Sequence, residues 1–373
     1  MKNKRGISLI VLVITIIIII ILAGAVILNL ADNNPIDSAE KSKIMSDLDS
    51  FNSDLTIQIG QKYLKDYSLK SEDIDSDETK EGWKLLDLVP SIKGTGYENY
   101  LAVENGKLVL KMDADIDDAT KEIIEEKLGK AVLTKEMILK EPEKYIGMKV
   151  EYEGYAETTN TIDWRIYGLD ASGNIMLKAN NYVDLSYKVS SYPIEIAQWI
   201  NSSYCIVSSA DRTTLINYLG TSSNWSEYAI SGKTVARGAM TLPEFIDGYN
   251  RVNDEELTAE YLSVGETSSD GSYTTTVDGY VIKKGNESYN YFISGITEKI
   301  SSGMQFYIID SSKAWYMWLA SEGMSYDYCV MSVHCDGNVH RSSHGHGYGA
   351  ICPVVSLTSG ILVENEDGKI EIK

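Results

Sequence analysis

The chain's four histidines, His334, His340, His344 and His346, fall within thirteen residues, and Cys329 and Cys335 lie in or beside the same stretch. Neutral imidazole and thiolate are apt ligands for transition metals, and His344-x-His346 places two rings on one side of a strand because side chains alternate along it. The spacing matches no standard zinc pattern, and a metal site also needs outer carboxylates or carbonyls to orient each ring, which the sequence does not display. The four histidines therefore stand as metal candidates, and no cofactor is implied. In a solvated loop the same polar residues would serve solubility alone.

Recognition is a second chemistry open to this stretch. From Ser325 to Cys352 there is no Lys, Glu, Gln or Trp, whereas their 66 occurrences among 373 residues give an expectation of about five. The window holds Tyr326, Asp327, Tyr328, His334, Asp336, Asn338, His340, Arg341, Ser342, Ser343, His344, His346 and Tyr348, interleaved with Val330, Val333 and Val339. Tyr combined with Ser, Gly and Asn supplies contact area and adaptable hydrogen bonds at low entropic cost, as in antibody paratopes. These thirteen polar residues are the candidate ligand-binding set. The valines are expected to face inward from strands, with Met331 a further scaffold position.

The elements that must position this window begin near Tyr145. Short segments rich in Tyr, Ile, Val and Thr, at Lys149 to Tyr155, Trp164 to Tyr167, Asn174 to Ala179 and Phe306 to Ile309, are separated by Gly, Asn and Ser turns. Helices are expected near Ile194 to Ile200 and Asp211 to Leu219, with a shorter one at Leu242 to Tyr249. The mixture predicts an α+β fold rather than a doubly wound parallel sheet. Within it, Asp163-Trp164-Arg165-Ile166-Tyr167, Trp318-Leu319-Ala320-Ser321 and Pro353-Val354-Val355-Ser356-Leu357 resemble, in that order, the landmarks of a bacterial C-type lectin-like family. That family is related in fold to the formylglycine-generating, sulfatase-modifying enzymes and to the variable proteins of diversity-generating retroelements. The resemblance implies a ligand-binding domain over residues 145–373 whose variable window is 325–352, diversified by a retroelement. The window's composition matches what substitution of adenines in AAC or AAT codons can reach. In the family an arginine usually precedes the Pro353 position; here it is Cys352.

Upstream of this domain, Ile7 to Leu30 is a run of 24 residues without charge or proline, about 36 Å as a helix and long enough to span a bilayer. Lys2, Lys4 and Arg5 precede it and Asp32 follows, so the positive-inside rule predicts a single-pass membrane protein with its C-terminus outside. The sequence Lys4-Arg5-Gly6-Ile7-Ser8-Leu9-Ile10 resembles a type IV prepilin N-terminus. That resemblance implies a leader over residues 1–6, cleavage between Gly6 and Ile7 by prepilin peptidase, and methylation of Ile7. Most pilins carry a glutamate where this chain has Val11. Proline and asparagines at 29–35 predict a break, after which Ile44, Leu48, Phe51, Leu55 and Ile59 mark one helical face. An amphipathic helix over 31–66 and a small head over 67–144 follow, the head containing a hairpin turning at Asn105-Gly106 and a helix around Ala119 to Leu128.

The formal charge of −20, or −23 without the three leader cations, argues against nucleic-acid partners. No phosphate-cradling loop, nucleophile elbow or H-E-x-x-H motif is present. Sulfatase-modifying oxidases use a cysteine pair, which would implicate Cys329 with Cys335 or Cys352, but the surrounding constellation is missing, so the chain reads as no enzyme. Asp113, Asp115, Asp117 and Asp118 lack the glycine and glutamate of a calcium loop and read as an acidic helix start. Cys205, Cys329, Cys335 and Cys352 allow three pairings, and free thiols are expected. The expected function is cell-surface display of a domain that binds a protein or glycan. The alternatives are a minor pilin or pseudopilin assembling with other pilin subunits in a type IV pilus or type II secretion-like system, and a transition-metal-binding surface protein.

Overall fold

The computed structural model describes residues 35–153, 162–180, 208–253, 256–285, 292–293, 307, 316–324, 326, 329–342, 349–365 and 367–373. Gly6, Ile7, Cys205, Asp327, Tyr328, Ser343, His344, His346 and Tyr348 lie outside them, as does the helix expected near 194–200.

The expectation of a long membrane-spanning N-terminal helix, and with it the single-pass localisation, is corrected. Among the described residues no helix is long and apolar enough to cross a membrane, and residues 7–30 are not among those described. The longest described helix, α1 (Pro35–Lys65), spans 31 residues and carries charges such as Lys41, Lys43, Asp47, Asp49 and Asp54 along its length. Taking such charges into hydrocarbon is prohibitive. The helix falls within the expected span of 31–66, and Pro35 occupies its first turn, where a missing N–H costs nothing.

One stripe of α1 is buried. Ile44, Leu48, Phe51 and Leu55 pack with α2 (Leu85–Leu88), the hairpin β1 (Leu101–Glu104) and β2 (Lys107–Leu110), and α3 (Asp118–Leu128) into a small core. The hairpin turns on Asn105 and Gly106, both at positive φ (51° and 70°), as a two-residue turn matching the strand twist requires. Gly106 cannot be replaced cheaply, because a Cβ there would stand 2.6 Å from the carbonyl oxygen of Ser71. The Asp117 carboxylate caps α3 by accepting from the Thr120 backbone N–H, so this end of the acidic run serves helix initiation.

The rest is α+β. A mixed eight-stranded sheet runs in the order β3-β16-β17-β4-β5-β6-β15-β7. Its strands are β3 (Val132–Leu133), β4 (Lys149–Glu151), β5 (Trp164–Leu169), β6 (Ile175–Ala179), β7 (Thr234–Arg237), β15 (Val354–Leu357), β16 (Leu362–Glu364) and β17 (Ile370–Ile372). The larger core begins at Leu133 and takes in Met137 and Ile138 of α4 (Lys135–Lys140) and Tyr145 of α5 (Pro142–Tyr145). These residues therefore pack with the C-terminal strands, ahead of the boundary expected at 145. Helices α6 (Ser209–Gly220) and α7 (Leu242–Asn253) add their apolar faces to this core. Helix α7 approaches β5 so closely that a Cβ on Gly248 would lie 2.4 Å from the Tyr167 ring.

A five-stranded sheet, β10-β13-β12-β11-β14, carries most of the described window. It comprises β10 (Phe292–Ile293), β11 (Tyr316–Glu322), β12 (Val330–His334), β13 (Val339–Ser342) and β14 (Gly349–Ala350). Beside it runs a separate hairpin, β8 (Leu257–Leu262) with β9 (Gly279–Lys284). No arginine precedes Pro353, but a largely buried ion pair lies elsewhere: the two terminal guanidinium nitrogens of Arg237 reach Glu244 at 2.8 and 3.1 Å. Glu244 also accepts from the Thr241 backbone N–H at the start of α7.

Candidate functional site

Strand β12 is held from both sides. Val330, Met331, Ser332 and Val333 are each fully buried, although successive side chains point to opposite faces of the sheet. The valines expected to face inward are buried, Val330 on one face and Val333 with its cross-strand partner Val339 on the other. The Ser332 hydroxyl donates to the His340 carbonyl across the ladder. The sheet is thus a rigid platform, and its polar residues emerge at the edges and turns.

The β12–β13 turn accounts for two candidate residues. The Asp336 carboxylate accepts from the backbone N–H and side-chain amide of Asn338 at 3.1 and 2.7 Å, and Gly337 takes positive φ between them. Asp336 and Asn338 are therefore turn formers first. From this turn His334 and His340 rise on one face, diagonal to one another, with ring centroids 4.2 Å apart. His334 stacks on Tyr316 at 5.4 Å. His340 Nδ1 donates to the Arg341 carbonyl, which assigns the lone pair to Nε2. Burial pushes both imidazoles below the ordinary histidine range, and the adjacent His340 lowers His334 further. For His340, the hydrogen bond to Arg341 opposes part of the burial effect.

Arg341, the next residue, leaves from the opposite face. Its guanidinium lies 5.2 Å from the Tyr326 ring centroid, and Tyr326 is 50% exposed. The approach depends on Gly323, where a Cβ would meet the Arg341 Cβ at 2.8 Å. Gly323 also bridges Tyr280 of β9, and Tyr280 meets Tyr261 of β8 edge to face at 5.3 Å. Tyr261 is 45% exposed. Burial raises both phenols above the usual tyrosine range, and the nearby Glu322 carboxylate adds to this. Tyr261 and Tyr280 were not legible as site residues, being separated in sequence from the window; the backbone bridge from Tyr280 to Gly323 joins their hairpin to the end of β11. The described candidates thus form two groups, the histidine pair and the Tyr326–Arg341 stack. Ser342 pairs with Val330 through its backbone.

Among the described residues, no group of three or more His, Cys, Asp or Glu is placed to hold a metal ion. Cys329, Cys335 and Cys352 are thiols rather than disulfide partners, and burial pushes the Cys352 thiol up. A cleft of about 510 Å³ lies apart from the window, lined by Asp73, Asp75, Asp77, Trp83, Lys135 and Lys140 among others. Its three aspartates are engaged locally: Asp73 accepts from Lys70 N–H, Asp77 from Thr79, and Asp75 from Asn105 N–H and the Lys135 ammonium. Lys62 and Lys80 each hold an ammonium 4.0 Å from the Trp83 ring centroid. Comparison with family models, curated proteins and solved structures finds no match to the chain.

Proposed function

We propose that this chain is a binding protein rather than an enzyme, and that its recognition surface is built on the β12–β13 hairpin and the loop carrying Tyr326. The observation that carries this is the half-exposed Tyr326 held against Arg341. Tyrosine and arginine dominate the energetics of recognition surfaces because they combine large contact area with directional hydrogen bonds. A doubly buried strand beneath them supplies the rigid support such a surface needs. The ligand class is a protein or a glycan. The C-type lectin-like resemblance of residues 145–373 points the same way, with diversification of 325–352 testable in the coding DNA. Codons other than NNC or NNT at the polar positions, without a near-identical template beside a reverse-transcriptase gene, would remove diversification.

The test is a screen of the full chain against protein and glycan arrays, followed by titration of each hit with Tyr326→Ala and Arg341→Ala. Each substitution should weaken binding by about tenfold without changing the thermal melt. Unchanged affinity in both would reject the assignment. A second reading, a filament subunit, is favoured by the packing of α1 on the small β1–β2 head. Co-purification of the chain with a filament would select it.

A further inference from the structure

We propose that Lys135 and Asp75 condense to an intramolecular amide, a covalent clamp between the small head and the larger core. Lys135 Nζ lies 2.5 Å from Asp75 Oδ2. The two side chains are 26% and 17% exposed, and no other lysine–carboxylate pair among the described residues is so enclosed on both sides. Both ends are fixed in advance. Thr134 caps α4 by accepting from the Met137 backbone N–H, and Glu104 accepts from the Lys135 backbone N–H at 3.2 Å. On the other side Ser76, next to Asp75, is tied to Val103 of β1: its backbone N–H donates to the Val103 carbonyl, and its hydroxyl oxygen accepts from the Val103 N–H. Groups held in this way react at effective molarities on the order of 10⁵ to 10⁸ M, which favours the amide over the separate amine and carboxyl.

The two carboxylate oxygens have different partners. Oδ1 accepts from the Asn105 backbone N–H at 2.6 Å, a donor placed to stabilise the charge this oxygen gains when the carbonyl carbon becomes tetrahedral. Oδ2 faces the ammonium and is the oxygen that leaves. A proton passes from Nζ to Oδ2, and the freed lone pair forms the N–C bond. The C–Oδ2 bond then breaks, and a second proton from nitrogen departs with that oxygen as water. Ammonium and carboxylate thus give amide and water, with no co-reactant. Burial keeps the neighbouring Glu104 carboxyl uncharged near neutrality, so it adds no charge of its own to the pair. The amide removes one positive and one negative charge together, and the response of Glu104 to pH still rests on its burial. The loop closed by the bond contains α2, β1, β2 and α3 of the head, while α4 belongs to the larger core.

The experiment is intact-mass measurement of the denatured full chain together with a tryptic peptide map, for wild type and for Lys135→Arg. Arginine keeps the ion pair but stays charged and offers no nucleophilic amine. Circular dichroism and a thermal melt verify that the variant is folded. Wild type should be lighter than its sequence requires by one water molecule, and Lys135→Arg should carry its full mass. The wild-type map should contain one species joining residues 71–80 to residues 131–140, uncut after Lys135 because an acylated lysine is not a tryptic site. Wild type at its full mass would overturn the proposal. So would a water lost within a peptide holding only one of the two residues, or the same loss in Lys135→Arg.

Discussion

Replacing Glu104 by glutamine should stabilise the protein at alkaline pH and do little in mild acid. Glu104 ends β1, is 7% exposed, and accepts from the Lys135 backbone N–H at 3.2 Å. Burial, reinforced by the Asp75 carboxylate and only partly offset by Lys135, pushes its carboxyl up to about 8. The unfolded carboxyl releases its proton near the ordinary value of about 4.3. Between these limits the unfolded chain binds fewer protons than the folded one. Stability from this group is therefore full below the unfolded value and is lost as pH rises through the folded one. Each pH unit in that interval removes up to about 1.4 kcal/mol, or roughly 4 to 5 kcal/mol in all as an upper limit. Glutamine keeps an acceptor for Lys135 N–H and carries no charge. Urea unfolding followed by circular dichroism from pH 5 to 8.5 should show wild-type stability falling steadily relative to Glu104→Gln. At pH 8.5 the glutamine variant should melt higher, by at most about 8 to 20 °C, taking 2 to 4 °C per kcal/mol. Parallel pH profiles, or a glutamine variant destabilised throughout, would refute the reasoning.

Two further predictions concern the larger core. Gly248→Ala should destabilise by up to about 2 kcal/mol in chemical denaturation: alanine's helix propensity gains roughly 1 kcal/mol, but overpacking costs up to about 3, and the new Cβ would lie 2.4 Å from the Tyr167 ring and 2.9 Å from its carbonyl oxygen. A melt at or above wild type would show that α7 and β5 are not so closely packed. Arg237→Ala should cost about 3 kcal/mol, since it leaves the Glu244 carboxylate buried without its bidentate partner. The double variant Arg237→Ala/Glu244→Ala should recover part of that loss, and strict additivity would argue against the ion pair.

Much of the scaffold follows from local chemistry. The spacing of Ile44, Leu48, Phe51 and Leu55 places one α1 face in a core, because residues three and four apart share a helix side. Asn105 and Gly106 identify the hairpin because few residues accept positive φ. The helices expected at 211–219 and 242–249 occur as α6 and α7, each longer than its apolar pattern suggested. The membrane-spanning expectation rested on composition in residues that are not described, and no described helix answers to it.

What the sequence by itself determined, then, were the elements whose cause lies within one turn or one strand: the α1 stripe, the Asn105-Gly106 hairpin, the acidic start of α3 and the burial of Val330, Val333 and Val339. Tertiary structure alone decided which of these elements meet. Leu133 pairs with Leu362, Tyr280 reaches Gly323, and Glu104 is enclosed beside Lys135. It also divided the polar window, sending His340 and Arg341 to opposite faces through strand alternation. The physical reason is that a strand's pattern states that it has a buried face but not which strand will cover it. Pairing over long sequence separations is chosen by the whole core, through shape and satisfied hydrogen bonds, and no short stretch of residues contains that choice.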